Sequence, residues 1–334
     1  MALTLDGKRR CRYIVSFISA GTAGVDRLRS LFRPKAAAKG LTSVVWTGEG
    51  VALAHVRDSS SQPELTCCLH IDSRDPLSDV RRFKEAVDAN DLSASRTVLV
   101  LPDNSYQLLL VERPDVPEEE LTQALRWRVK DLVSFDIEEA VLDYFELPDD
   151  AYRGRSSMVY VVVAQQSKVD RLVDWCEEIG LNPEVVDVPE LALLNLTEDL
   201  ADSEAGLAVF FIDSRNSSVN LLSDSALYFT RHLSYTRESG PESASAAVLE
   251  LQRSLDYYES QVGKPPCVRL LVMPVQDESA LMEELRFNLP LDIHSLNLNT
   301  LIESRIELSQ ALQQKTTVAV AAALRTELPV RGAR

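Results

Sequence analysis

The chain has 334 residues, 45% hydrophobic and 26% charged, with a net charge of -16 at pH 7. That length fits two separate hydrophobic cores, and the composition is ordinary for a soluble globular protein. The negative balance excludes nucleic acid as the main partner, because phosphate recognition needs clustered Lys and Arg. No window approaches the roughly 18 to 20 apolar residues of a membrane span.

Charge is unevenly placed: residues 1–40 hold nine basic and two acidic side chains, a net of +7, so the remainder carries -23. Basic residues followed by the apolar run Tyr13 to Ala20 imitate a secretory signal. The run is short, holds Ser16 and Ser19, and is followed at once by more positive charge, so we expect no export. In VDRLRSLFRPK, Val25, Leu28 and Phe32 share one helical face while Arg27, Arg29, Arg33 and Lys35 offer cations around it. This pattern suits peripheral contact with an anionic lipid surface; the alternative is a solvated basic tail, with residues 1–24 owed to a start codon assigned too early.

From Leu41 the pattern predicts an antiparallel three-strand meander, TSVVWT, VALAHVRD and LTCCLHID, joined by polar turns. A charged helix follows over Leu77 to Asn90, then strands RTVLVLP and YQLLLVERP. DVPEEELTQALRWRVKDLVSF reads as an amphipathic helix with an acidic first turn and the apolar repeat Leu121, Leu125, Val129, Leu132. VLDYFEL and the all but continuously apolar MVYVVVAQ are two more strands, the second buried on both faces. A helix marked by Val169, Leu172, Val173, Cys176 and Ile179 ends at Gly180, and strand VVDV precedes a helix from Pro189 to about Leu200. TEDLADSEAG is polar and without periodicity, and is expected to separate two lobes.

The second half repeats the plan. Its opening, VFFIDSRNSSVNLLSDSALYFTRHL, reads as three short strands, and a long helix follows with the stripe Val248, Leu251, Leu255, Tyr258, Val262. That stripe is expected to be core. Strand VRLLVMP, a helix around Leu281 to Leu285, the short LDIHSL and the small-residue helix VAVAAAL complete the chain. Five cysteines without C-x-x-C spacing and four scattered histidines predict no metal site, and reduced thiols in the cytoplasm.

Two halves that each open with an antiparallel three-strand unit predict an α/β, two-lobed actin-like (ribonuclease-H-like) fold. The expected parts are a basic segment over 1–40, lobe one over 41–200 with a small αβ module inserted at about 97–188, and a reduced lobe two over 201–334. The run LVLPDNSYQLLLVERPDVPEEELTQALRWRVKDLVSF, then VLDYFEL, then VVVAQQSKVDRLVDWCEEIGLNPEVVDVPELALLNL resembles the PilM family of type IV pilus assembly proteins, most closely its MshI branch, which serves the mannose-sensitive haemagglutinin (MSHA) pilus. The resemblance implies a cytoplasmic protein at the inner membrane, recruited by the N-terminal tail of a single-pass partner of the PilN class, MshJ-like in this branch. In the family that tail lies in a groove between the first lobe and its inserted module, which points to Leu125, Trp127, Phe135 and Tyr144 as partner-binding candidates. The sequence departs from the family's usual helix at Arg128 and Ser134. On residue spacing alone, Leu125 belongs to the apolar stripe, and Trp127, two residues on, is expected to cover a module edge, with anchoring of a partner as the alternative.

In nucleotide-binding relatives the first turn of each lobe presents an acid and a glycine to phosphate and magnesium, because backbone N–H groups must approach phosphate with no side chain in the way. Here the first turn, VVWTGEGVAL, keeps Gly48, Glu49 and Gly50, and the second keeps Asp213 but puts Ser214 and Arg215 where glycine is wanted. The third region, VQDESALMEE, has no glycine and adds Asp277, Glu278, Glu283 and Glu284. Glu49, Asp213 and Arg215 therefore read as remnants of a nucleotide site. The expectation is a non-catalytic adaptor with no cofactor and no metal. The alternative is a weak ATPase using Glu49 and Asp213 for magnesium; a general acid/base enzyme built on Asp143 has only the abundance of carboxylates behind it.

Overall fold

A computed structural model describes residues 39–58, 62–152, 157–197, 205–215, 217–273 and 279–325. The basic segment with Arg27, Arg29, Phe32, Arg33 and Lys35, and the pair Asp277 and Glu278, lie outside the described residues. No helix among the described residues is long and apolar enough to cross a membrane.

The opening meander forms as β1 (Leu41–Trp46), β2 (Gly50–Asp58) and β3 (Pro63–Asp72), whose inner positions are almost all buried. Strands β4 (Arg96–Val100) and β8 (Asn182–Asp187) extend this sheet in parallel beyond β1. Its other edge is completed by β14 (Glu303–Ser304), giving the order β14-β3-β2-β1-β4-β8. Helices α1 (Val80–Ala89) and α3 (Gln166–Glu178) pack on it through Trp175, which sits edge-on to Trp46 and Phe83 at 5.0 and 5.1 Å. Gly180, at φ +95°, ends α3 in the left-handed region, where glycine carries no Cβ penalty.

Between β4 and α3 the chain leaves this sheet to build a separate three-stranded one: β5 (Tyr106–Glu112), β6 (Ala140–Glu146) and β7 (Met158–Gln165), in the order β5-β7-β6. Helix α2 (Glu118–Val129) covers one face, burying Leu121, Leu125 and Val129 against Val159, Val161 and Val163. The inserted module is thus Tyr106 to Gln165, tighter than the 97–188 expected from sequence, since β4, α3 and β8 belong to the main sheet. Leu132 falls beyond the end of α2 and is 55% exposed, so the predicted stripe stops one turn earlier.

Lobe two contains β9 (Gly206–Ile212), β10 (Ser217–Ser223), β11 (Ala226–Leu233), β12 (Cys267–Met273) and β13 (Asp292–Ser295), ordered β11-β10-β9-β12-β13. Only residues 234–243 separate β11 from α5 (Ala244–Tyr257), which continues through a π turn, Tyr258–Val262, to Gly263 at φ +79°. Val248, Leu251, Tyr258 and Val262 are buried, and Leu255 packs at the margin of the same core. Helix α6 (Ala280–Asn288) crosses between β12 and β13. The predicted helix after Pro189 is shorter than expected: α4 (Pro189–Ala192) runs into a 3-10 turn, Leu193–Leu196.

The largest departure from the sequence-based boundaries lies at the end of the chain. After α7 (Leu298–Leu301), α8 (Gln310–Ala323) packs against β1, β2 and β3, with Thr316 to Ala323 all buried. Ser43 Oγ donates to the Ala319 carbonyl at 2.6 Å and Asn195 Nδ2 to that of Ala321 at 3.0 Å. The tract VAVAAA brings side chains small enough for the helix backbone to lie close to the sheet. Residues 303–323 therefore complete lobe one, and only the segment before them belongs to lobe two.

Candidate functional site

The two turns singled out from sequence face each other across the interlobe cleft. Gly48 has no side chain, and a Cβ there would stand 2.5 Å from Ser214 Oγ and 2.8 Å from Arg215 Nε. Arg215 Nη2 also approaches the Gly48 carbonyl at 3.5 Å. The close approach that glycine permits is thus taken up by lobe two of the same chain. Gly50 serves the sheet: it pairs with Asp72, and a Cβ would stand 2.1 Å from the Ile71 carbonyl oxygen.

Three carboxylates at and beside the facing turns, Glu49, Asp72 and Asp213, are paired with cations of the chain. Lys315 Nζ, on α8, lies 3.1 Å from Glu49 and 2.8 Å from Asp72. Arg237 lies 3.3 Å from Asp213 and 3.8 Å from Glu49. The hydrogen bond between Lys315 and Asp72 holds the lysine above its ordinary pKa and the aspartate below its own. Burial lowers the pKa of His70, which bonds Thr47 at 2.9 Å and Asp72 at 3.0 Å. Glu49, His70 and Asp72 have ligand atoms within 4.8 Å of one another, a spacing compatible with a metal ion, yet the Lys315 ammonium contacts both carboxylates. Magnesium would have to break ion pairs already made. The cavity between the facing turns has a volume of ≈ 40 Å³, about three waters at ~10–15 Å³ each. Glu283 and Glu284, on α6, are not among its lining residues.

On the module, the four partner-binding candidates separate by exposure. Leu125 is fully buried in the small core under α2 and cannot touch a partner. Trp127 is 58% exposed, with Lys130 Nζ 5.0 Å above its ring, so it does not cover an edge as expected. Phe135 and Tyr144 are half-buried against the α2 core, and the Tyr144 hydroxyl donates to Glu118 at 2.7 Å. Asp143 accepts the N–H of Tyr144 at 2.8 Å, and Arg126 donates to the carbonyls of Ile137 and Ala140, so side chains cap backbone groups in and beside β6. Leu108, Leu110 and Val141 are half-buried on the opposite face of the module sheet, against the main core. Their face is not legible in the sequence, because YQLLLVE is apolar at consecutive positions and gives no period.

Residues 82–240 match the family model for the type IV pilus assembly protein PilM. This PilM-like segment runs from α1 through the module and the first three strands of lobe two. Comparison with solved structures gives the same architecture. A PilM-PilN type IV pilus biogenesis complex is similar at TM-score 0.71 and 20% identity, covering 86% of this chain and 98% of that one. A Bacteroides thetaiotaomicron protein with an actin-like ATPase fold and unknown function is similar at TM-score 0.50 and 10% identity, covering 79% and 92%. The curated proteins searched contain no match. The fold of this PilM-like chain is the two-lobed actin-like one.

Proposed function

We propose that this PilM-like chain is a non-catalytic adaptor of a type IV pilus assembly machine of the MSHA type. It acts in the manner of MshI, at the cytoplasmic face of the inner membrane, and docks the tail of a PilN-class, MshJ-like partner. The observation that supports the non-catalytic part is the pairing of Glu49 with Lys315 and of Asp213 with Arg237, contacts that a magnesium ion would have to displace. The adaptor part rests on the match over 82–240 and on the likeness to a chain solved with PilN. The basic N-terminal segment adds a contact with anionic lipid. The weak ATPase is the second reading, because Asp213 lines the cleft and Glu49 stands in the facing turn between β1 and β2.

Thermal unfolding with and without magnesium-ATP separates the two. A ligand at a hundred times its Kd adds about 2.7 kcal/mol, a rise of several degrees for a chain of this size. We expect no rise; a rise together with turnover lost in Asp213→Ala would establish the ATPase.

We place the tail along the module face that carries Leu108 and Leu110, which is turned away from α2 and half-buried against the main core. With a labelled peptide of the partner's tail, Leu110→Lys is expected to weaken binding about tenfold or more, as burying a charge in an apolar contact costs over ~1.4 kcal/mol. Trp127→Ala, on the far face, should leave affinity unchanged. The reverse pattern would move the docking site to α2.

A further inference from the structure

Three ionisable side chains from separate elements meet at one side of the cleft. Glu190, in α4, is 1% exposed; its carboxylate accepts the Tyr106 hydroxyl at 2.7 and 2.9 Å and lies 2.6 Å from His232 Nε2. The Glu190 carbonyl accepts from Asn220 Nδ2 at 3.0 Å, and Asn220 Oδ1 accepts the Thr230 hydroxyl at 2.7 Å. Glu190 belongs to lobe one, Tyr106 opens the module, and His232, Asn220 and Thr230 belong to lobe two. One buried carboxylate therefore ties all three parts together.

His232 can exchange protons with solvent, since its side chain is 45% exposed. The charges that face it are acidic: Glu190 first, then Asp103 in the loop between β4 and β5. Ser218, its cross-strand neighbour, is uncharged, while Asp213, Arg215 and Lys315 line the same cleft. Tyr106 keeps its proton, because burial and then Glu190, Asp103 and Asp187 push its pKa well above the ordinary 10.

We propose that His232 is a proton-operated latch between the lobes: the imidazolium clamps β11 to Glu190, and loss of its proton loosens lobe two from lobe one and from the base of the module. Deprotonation leaves the buried carboxylate with neutral donors in place of a full countercharge, a poor state for a charge out of water. The hydrogen bond to Glu190 raises the pKa of His232 above its ordinary 6.5. The latch is therefore fully engaged below pH 6.5 and lost as pH rises through the elevated value.

Imidazole NMR titration of the four histidines, with His232 assigned by its loss in His232→Gln, tests this on the full chain. We expect His232 to titrate above 6.5, and in Glu190→Gln at or below it, each unit being a tenfold change in proton affinity. Deuterium uptake in β11, corrected for intrinsic exchange, should rise about three- to tenfold from pH 6 to 8.5 in the wild type and stay level in His232→Gln. An unchanged titration in Glu190→Gln, or a wild-type uptake profile in His232→Gln, overturns the latch. The Glu190→Gln titration decides the matter even if His232→Gln fails to fold.

Discussion

Replacing Arg325 with alanine is expected to destabilise the protein by about 3–5 kcal/mol, the cost of leaving one partner of a buried ion pair alone. Arg325 follows α8, is 7% exposed, and its guanidinium donates to Asp187 at 2.6 Å; Asp187, at the end of β8, is 1% exposed. Asp187 also accepts the N–H of Val188 at 2.8 Å. Burial already pushes the Asp187 carboxyl up, against the pull of Arg325. Without the arginine the carboxyl moves up further. A group whose folded pKa is raised stabilises the fold at low pH and loses that contribution as pH rises through it. Thermal melts should therefore show Arg325→Ala far below wild type at pH 8 and closer to it at pH 5. A deficit that stays constant with pH would mean the loss is one of packing and not of charge.

The second large effect is expected at Gly50. A methyl group there would stand 2.1 Å from the Ile71 carbonyl oxygen and 2.9 Å from the Asp72 Cα, both backbone atoms of the paired strand. Neither atom can swing aside as a side-chain tip does, so β2 and β3 must part. We expect Gly50→Ala to cost roughly 3 kcal/mol or more, at the upper end for overpacking, read as a fall in the urea midpoint. Gly48→Ala is expected to cost less, because the obstructing Ser214 Oγ and Arg215 Nε belong to side chains that have rotamers to spare. Equal losses at both positions would show that the turn between β1 and β2 is held as a rigid unit by lobe two.

These residues also mark where the sequence was legible. The strand units, α2, α3, the stripe of α5 and its burial follow from local periodicity and turn chemistry, which act over a few residues. So does the doubled plan that points to two lobes. The acids of the two facing turns, Glu49 and Asp213, are visible in the sequence, but their partners are not: Lys315 lies 266 residues beyond Glu49, and only the return of α8 to the first sheet brings them together. A small-residue helix reads the same whichever sheet it covers, so sequence places residues 303–323 with lobe two although they pack on the sheet of lobe one. Gly48 and Gly50 looked alike as vestiges of a phosphate turn; one faces the opposite lobe and the other faces a neighbouring strand, and that distinction depends on what folds against them. The exposure of Trp127 has a related cause, since an aromatic two residues off a helical stripe is buried only if another layer lies above it.

The return of α8 fixes an order of events during synthesis. Val44, Leu53 and Ala54 on the first strands pack with the main core that α8 completes, and α8 is separated from them by the whole of lobe two. The sheet begun by β1 to β3 is thus finished only by α8, and its uncovered face must wait while some 250 residues leave the ribosome at about 5–20 per second. A helper protein that shields that face would act for tens of seconds, and a stop codon anywhere before α8 would leave lobe one open, however complete lobe two had become.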